Sequence, residues 1–160
     1  MEKQYKKVST YELFSLIEEL LKKNQNAIFT VSGNSMWPLI GHYRDQVEVT
    51  ACDPYSLKKG DIILFQTGSG QYLLHRIIKV TDSGYVTAGD NNTFIDGVFP
   101  PETVKAKVIR VIRKGKPIDC DDIKWRMIFW LWMLLFPVRK YLKRGLLLLA
   151  KINKRLTIKK

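Results

Sequence analysis

The run Asp61-Ile62-Ile63-Leu64-Phe65 is followed, after Thr67-Gly68-Ser69-Gly70, by the run Tyr72-Leu73-Leu74-His75-Arg76-Ile77-Ile78-Lys79-Val80. Both runs are rich in branched apolar residues, and the segment between them has the glycines and hydroxyl residues that are typical of a turn. Residues that alternate along a strand point to opposite faces, so His75 shares a face with Leu73 and Ile77 while Arg76 lies on the other face. These two runs predict neighbouring strands of a sheet.

The same pattern extends from Ala27 to Arg113. Further short runs that are apolar or alternating are separated by turn residues, and they are Ile28–Val31, Gln46–Val49, Tyr85–Ala88 and Val104–Ile112. Short strands at such close spacing predict a mostly β fold, a coiled antiparallel sheet or barrel, with helices only at its two ends. We expect three regions: an N-terminal helix at 1–26, a β domain at 27–118 and a tail at 119–160.

The N-terminal region has helical periodicity. Leucine, isoleucine and phenylalanine recur every three or four residues between Tyr11 and Lys23, and Ser9 or Thr10 precedes them at a position suited to a helix N-terminus. One amphipathic helix is therefore predicted. Two positions for it stay open, packed on the sheet or lying at a membrane interface, and we favour the first.

Ser35 and His75 are the candidates for catalysis. Ser35 lies in Val31-Ser32-Gly33-Asn34-Ser35-Met36-Trp37-Pro38. A serine hydroxyl is a weak nucleophile at neutral pH and needs a neighbouring base such as a histidine to take its proton. Gly33 permits close approach of backbone, and Pro38 biases Trp37 away from the helical region, so we expect an open turn around Ser35. The pair predicts a hydrolase.

These motifs resemble those of the signal peptidase superfamily. Its nucleophile box, Gly-x-Ser-Met-x-Pro, corresponds to Gly33, Ser35, Met36 and Pro38. A Gly-Asp strand start (Gly60-Asp61) and then the base (His75-Arg76) follow in the family's order. The base is lysine in the bacterial type and histidine in the type of the endoplasmic reticulum, archaea and some Gram-positive bacteria, which this chain resembles. The resemblance covers roughly 30–113 and implies a serine endopeptidase of that fold.

A carboxylate must orient the histidine, and two aspartates are candidates. The run Gly89-Asp90-Asn91-Asn92 with Asp96 resembles a segment of the histidine type in which the later aspartate completes a Ser-His-Asp set. The resemblance favours Asp96 as the orienting residue, with Asp90 as the alternative and otherwise a residue that shapes the loop. No metal or cofactor is implied, and Cys52 and Cys120 lack metal-ligand spacing, so we expect them to be reduced packing residues rather than a disulfide.

The tail carries almost all of the net charge of +12. Eleven of the 27 Lys and Arg lie between Lys124 and Lys160, where none of the 15 acidic residues lies, so the remaining 16 cations nearly balance the acids. The apolar run Met127–Val138 precedes cations that alternate with leucines. Twelve residues of helix reach only about 18 Å, short of a bilayer core of roughly 30 Å. The pattern predicts interfacial helices on an anionic membrane surface, with a re-entrant hairpin or a packed core helix as alternatives. A nucleic-acid partner is not favoured.

We therefore expect a membrane-associated serine endopeptidase that cleaves signal or leader peptides with Ser35, His75 and Asp96. Its peptide or preprotein substrate would pair with an exposed strand edge. Because no apolar anchor is evident in residues 1–26, we expect association with the cell membrane at its cytoplasmic face. The alternative belongs to a different functional class: a catalytically silent module of the same fold that binds a membrane or nucleic acid.

Overall fold

A computed structural model describes residues 10–139 and 141 of the protein. Eight strands form one sheet, and every strand pair is antiparallel. The strands are β1 (Ala27–Thr30), β2 (Asp45–Thr50), β3 (Ile62–Gln66), β4 (Tyr72–Thr81), β5 (Gly84–Ala88), β6 (Gly97–Phe99), β7 (Val104–Arg113) and β8 (Lys116–Asp119). The mostly β fold is therefore confirmed.

The strand order is β1-β2-β7-β3-β4-β5-β6, and β8 pairs with the second half of β7. Over the described residues the sheet is open, with β1 and β6 at its edges, so the sheet and not the closed barrel is the form that the chain adopts. The runs around Leu64 and Leu74 pair as β3 and β4, with Ile63 opposite His75. β6 and β8 are additional to the predicted strands.

Helix α1 (Thr10–Lys22) confirms the predicted N-terminal helix and its packing on the sheet. Its buried residues Phe14, Ile17 and Leu21 join a core cluster that also contains Val47 and Val108 from the sheet. Apolar residues at three- and four-residue spacing form one face of a helix, which explains why this face is buried. A second cluster covers the other face of the sheet and contains Leu57, Ile63, Phe65, Ile77 and Tyr85.

Helix α2 (Ile123–Leu134) follows β8, and a short 3-10 turn, Phe136–Val138, follows it. The Asp122 side chain caps its N-terminus by accepting a hydrogen bond from the Lys124 amide at 2.8 Å. Phe129 is the one residue of α2 that is buried, and the guanidinium of Arg76 lies 4.3 Å from the centre of its ring. The helix therefore packs on the sheet along one side only, and its other side is exposed.

No helix in the described ranges combines the length and the hydropathy needed to span a membrane. Most of the predicted basic tail, residues 140 and 142–160, lies outside the described residues, as do residues 1–9.

Candidate active site

His75 lies in the middle of β4 and is 5% exposed. Its ring is held from one side, where Nδ1 lies 2.6 Å from Oδ2 of Asp96. Because an ionised carboxylate can only accept, this contact selects, for a neutral ring, the tautomer with the proton on Nδ1 and leaves Nε2 as the acceptor nitrogen. This is the tautomer that a histidine needs in order to take a proton from a hydroxyl.

Asp96 is itself fixed by strand β5. The hydroxyl of Thr87 donates to Asp96 Oδ2 at 2.9 Å, and the Asp96 amide donates to the Thr87 carbonyl at 2.9 Å. The side chain of Asp96 is only 9% exposed. The aspartate that the family resemblance favours is therefore adjacent to His75 and held in place by two contacts with one residue.

The segment around Ser35 is a series of turns from residue 35 to 39, as expected, and not a helix. Met36 and Ile40 anchor it in the core, at 1% and 0% exposure. Gly33 has φ of 95°, in a region that glycine adopts at low cost, and its amide donates to Nδ1 of His42 at 2.7 Å. His42 is exposed, and its support of the Gly33 turn was not evident from the sequence.

Ser35 is partly buried and lies against the loop that follows β5. The Asn91 amide donates to the Ser35 carbonyl at 2.6 Å, and the Asn91 side-chain amide donates to the Asn34 carbonyl at 3.0 Å. A Cβ atom added at Gly89 would stand 2.6 Å from the Ser35 carbonyl oxygen and 3.0 Å from Ser35 Cβ. Only glycine leaves room for this approach.

The sheet register connects this loop to His75. Arg76 lies opposite Ala88 in the β4-β5 pair, so continuing the register by one residue places Gly89 opposite His75. Gly89 therefore approaches Ser35 closely and, in this continued register, lies opposite His75. In the described part of the chain no hydrogen bond joins Ser35 to His75. Catalytic hydrogen bonds are often long in the absence of substrate, so this arrangement is compatible with the predicted pair.

The other candidate carboxylate, Asp90, has a different partner. Its two oxygens accept from Arg76 Nε at 2.8 Å and Arg76 Nη2 at 2.7 Å, and both side chains are almost completely buried. Arg76 also donates to the Gly60 carbonyl at 2.8 Å. The prediction that Arg76 faces away from His75 is confirmed, and Asp90 pairs with Arg76 and is not within hydrogen-bonding contact of His75.

The two cysteines are free, as expected. Burial raises the pKa of the Cys120 thiol to about 12 and also raises the pKa of Cys52. A thiol is a nucleophile only as the thiolate, so neither cysteine is activated at neutral pH. Ser35 is the better candidate nucleophile. In the described ranges no cluster of His, Cys, Asp and Glu is arranged to hold a metal ion.

Asp61, directly before β3, accepts a hydrogen bond from the Lys58 amide at 2.9 Å and so satisfies a backbone donor at the start of the strand. Comparison of the chain with models of protein families finds no match, and neither does comparison with curated proteins. The likeness to the signal peptidase superfamily stays a prediction that rests on the motifs.

Proposed function

We propose that this protein is a membrane-associated serine endopeptidase of the signal peptidase type, with Ser35 as nucleophile, His75 as general base and Asp96 as the residue that orients the base. The observation that carries the proposal is the 2.6 Å contact between His75 Nδ1 and Asp96 Oδ2. The Thr87 hydroxyl donates a hydrogen bond to the same Asp96 oxygen. A buried histidine whose Nδ1 is bound to a carboxylate has its other nitrogen available for a hydroxyl proton.

The proposed reaction has two steps. Ser35 Oγ attacks the peptide carbonyl as its proton passes to His75 Nε2. The C–N bond then breaks, and the amine leaves with that proton. In the second step water is the nucleophile. His75 takes a proton from water, the resulting hydroxide attacks the acyl ester, and the proton returns to Ser35 Oγ as the ester bond breaks. The charge that develops on the substrate oxygen requires a donor, for which the Ser35 amide is the candidate.

The proposed substrate is an extended signal or leader peptide. Strand β6 begins one residue after Asp96 and lies at an edge of the sheet. An edge strand presents unpaired amide and carbonyl groups, and an extended peptide can bind there by β-addition. Strand β5 and β6 itself lie between this edge and β4, so the cleaved part of a bound substrate would have to extend past the end of β6 towards His75.

The membrane part of the proposal rests on the outward side of the C-terminal segment. Its exposed apolar residues in α2 include Met127, Trp130, Leu131 and Leu134, and Val138 and Tyr141 follow after the helix. Each of these is between 43% and 68% exposed. Such an apolar surface, with the cations that the sequence places from Lys124 onwards, fits an anionic bilayer surface, and we favour the cytoplasmic face of the cell membrane.

Labelling with a fluorophosphonate that reacts with activated serines tests the enzyme assignment. We expect the parent protein to be labelled and to cleave a leader peptide, and Ser35→Ala to do neither. Ser32→Ala, a nearby exposed serine, is the matched control and should retain both activities. Thermal unfolding of the two variants should remain close to that of the parent. A folded parent that is neither labelled nor active would favour the silent binding module, and a Ser35→Ala protein labelled at the parental rate would exclude this nucleophile.

A further inference from the structure

The backbone carbonyl of Asp90 accepts two hydrogen bonds from the C-terminal segment. Trp132 Nε1 donates to it at 2.9 Å, and Arg139 Nη1 donates to it at 2.8 Å. The two donors are also joined to each other, because Arg139 Nη2 donates to the Trp132 carbonyl at 2.6 Å. The inward side of α2 and the turn after it thus converge on one oxygen atom.

That oxygen belongs to the same peptide group as the Asn91 amide, which donates to the Ser35 carbonyl at 2.6 Å. A peptide group is planar, so fixing the direction of its carbonyl also fixes the direction of its N–H. Hydrogen bonds in a chain also polarise one another, and an acceptor with two donors makes its own N–H a stronger donor. The contacts at the Asp90 oxygen are therefore transmitted to Ser35 through a single rigid unit.

We propose that Trp132 and Arg139 are positioning residues for Ser35, which they act on through the peptide group between Asp90 and Asn91. The effect on catalysis rests on the proposed function, whereas the effect on the position of the loop does not.

The chemistry of Arg139 supports a positioning role over simple packing. Its side chain is 4% exposed, burial lowers its pKa, and its Nε has no hydrogen-bond partner within the described residues. An apolar residue would fill such a site at less desolvation cost. The guanidinium supplies instead a fork that reaches two carbonyl oxygens at once, on Asp90 and on Trp132.

The Asp90 side chain does not make the two donors redundant. Arg76 holds the carboxylate of Asp90, but rotation about the backbone bonds can still turn the following peptide plane. Trp132 and Arg139 bind that plane directly. Two substitutions remove these contacts and keep the charge: Trp132→Phe loses the indole N–H together with part of the ring system, and Arg139→Lys loses the fork.

The matched controls come from the exposed side of the same helix. Trp130→Phe makes the same chemical change at a ring that is 58% exposed, and Arg126→Lys does so at an exposed arginine. Each variant is examined by hydrogen exchange of the Asn91 amide and by the rate of fluorophosphonate labelling, corrected for the folded fraction. The kcat and KM for a short soluble peptide are measured alongside.

We expect Trp132→Phe and Arg139→Lys to exchange the Asn91 amide faster than their controls and to slow labelling by about fivefold to tenfold, as the loss of one hydrogen bond predicts. kcat should fall with KM little changed, because the peptide-binding edge is untouched. Equal Asn91 exchange in Trp132→Phe and Trp130→Phe would overturn the proposal, and so would labelling that slows only in proportion to unfolding. If exchange differs but the parent itself is never labelled, the link to the loop stands and the peptidase assignment fails.

Discussion

The guanidinium of Arg76 and the carboxylate of Asp90 form two parallel hydrogen bonds of 2.8 and 2.7 Å at a site that solvent does not reach. His75, the next residue before Arg76 along β4, points the other way and meets Asp96. Two successive residues of one strand therefore bind two different aspartates on opposite faces of the sheet. The first pair is suited to holding the loop at residues 89–92, and the second to orienting a base.

This division predicts different consequences for two similar substitutions. Asp96→Asn should lower kcat on the order of a hundredfold to ten-thousandfold, because an amide can bind the wrong histidine tautomer, with little loss of stability. Asp90→Asn leaves the buried Arg76 charge without its counter-ion and should cost about 3–5 kcal/mol in the free energy of unfolding. Peptide cleavage and urea denaturation measure the two effects. A larger catalytic loss in folded Asp90→Asn than in Asp96→Asn would reverse the assignment of the orienting carboxylate.

The contact between Gly89 and Ser35 predicts that a single methyl group added at position 89 strongly lowers the reactivity of Ser35. In Gly89→Ala the new Cβ would lie 2.6 Å from the Ser35 carbonyl oxygen, so the turn that carries Ser35 must move away. We expect labelling of Ser35 to fall at least tenfold, since catalysis is sensitive to displacements of about 1 Å. Gly68→Ala is the control, because no atom lies within 4 Å of its Cβ position. Equal labelling of the two variants would show that Ser35 does not need this close approach.

The sequence predicts the strands well because apolar runs and turn residues are local signals. The alternation along β4 also correctly predicts that Arg76 faces away from His75, and the structure shows that its partner there is the Asp90 carboxylate. Contacts between distant segments leave no such local pattern. Neither the support of Asp96 by Thr87 nor the convergence of Trp132 and Arg139 on Asp90 has a signal within a few residues of either partner. The apolar run in α2 indicated burial or a membrane surface, and only the packing of Phe129 shows which side faces the sheet.

Asp45 provides a prediction for acid stability. Burial by itself would raise its pKa, but hydrogen bonds from Arg44, Arg113 and the Gly41 amide outweigh burial and lower the pKa to about 2. A carboxyl whose folded-state pKa is depressed stabilises the fold above its unfolded value near 3.8, and this contribution is lost as the pH falls towards 2. The contribution is about 2 kcal/mol at neutral pH.

Thermal or urea unfolding of the parent between pH 5 and about 2 should show this loss. Asp45→Asn should be less stable than the parent at pH 7, and the difference should shrink as the pH falls through this window. Asp82→Asn, an exposed aspartate, is the control and should follow the parent. A gap between parent and Asp45→Asn that stays constant down to pH 2 would contradict the ionic role of Asp45.

The outward face of α2 predicts how the protein binds vesicles. The double variant Trp130→Ser and Leu134→Ser should bind anionic vesicles more weakly, because both side chains are more than half exposed and available for insertion. Ile28→Ser with Tyr43→Ser removes comparably exposed apolar groups outside the C-terminal segment and serves as the control. Each cation near an anionic surface contributes at most about 1 kcal/mol, and salt screens this attraction beyond roughly 8 Å, whereas apolar insertion persists. High salt should therefore weaken cosedimentation of the parent without abolishing it, and should nearly abolish that of the α2 variant. Equal partitioning of both double variants at every salt concentration would rule out α2 as the membrane-binding face.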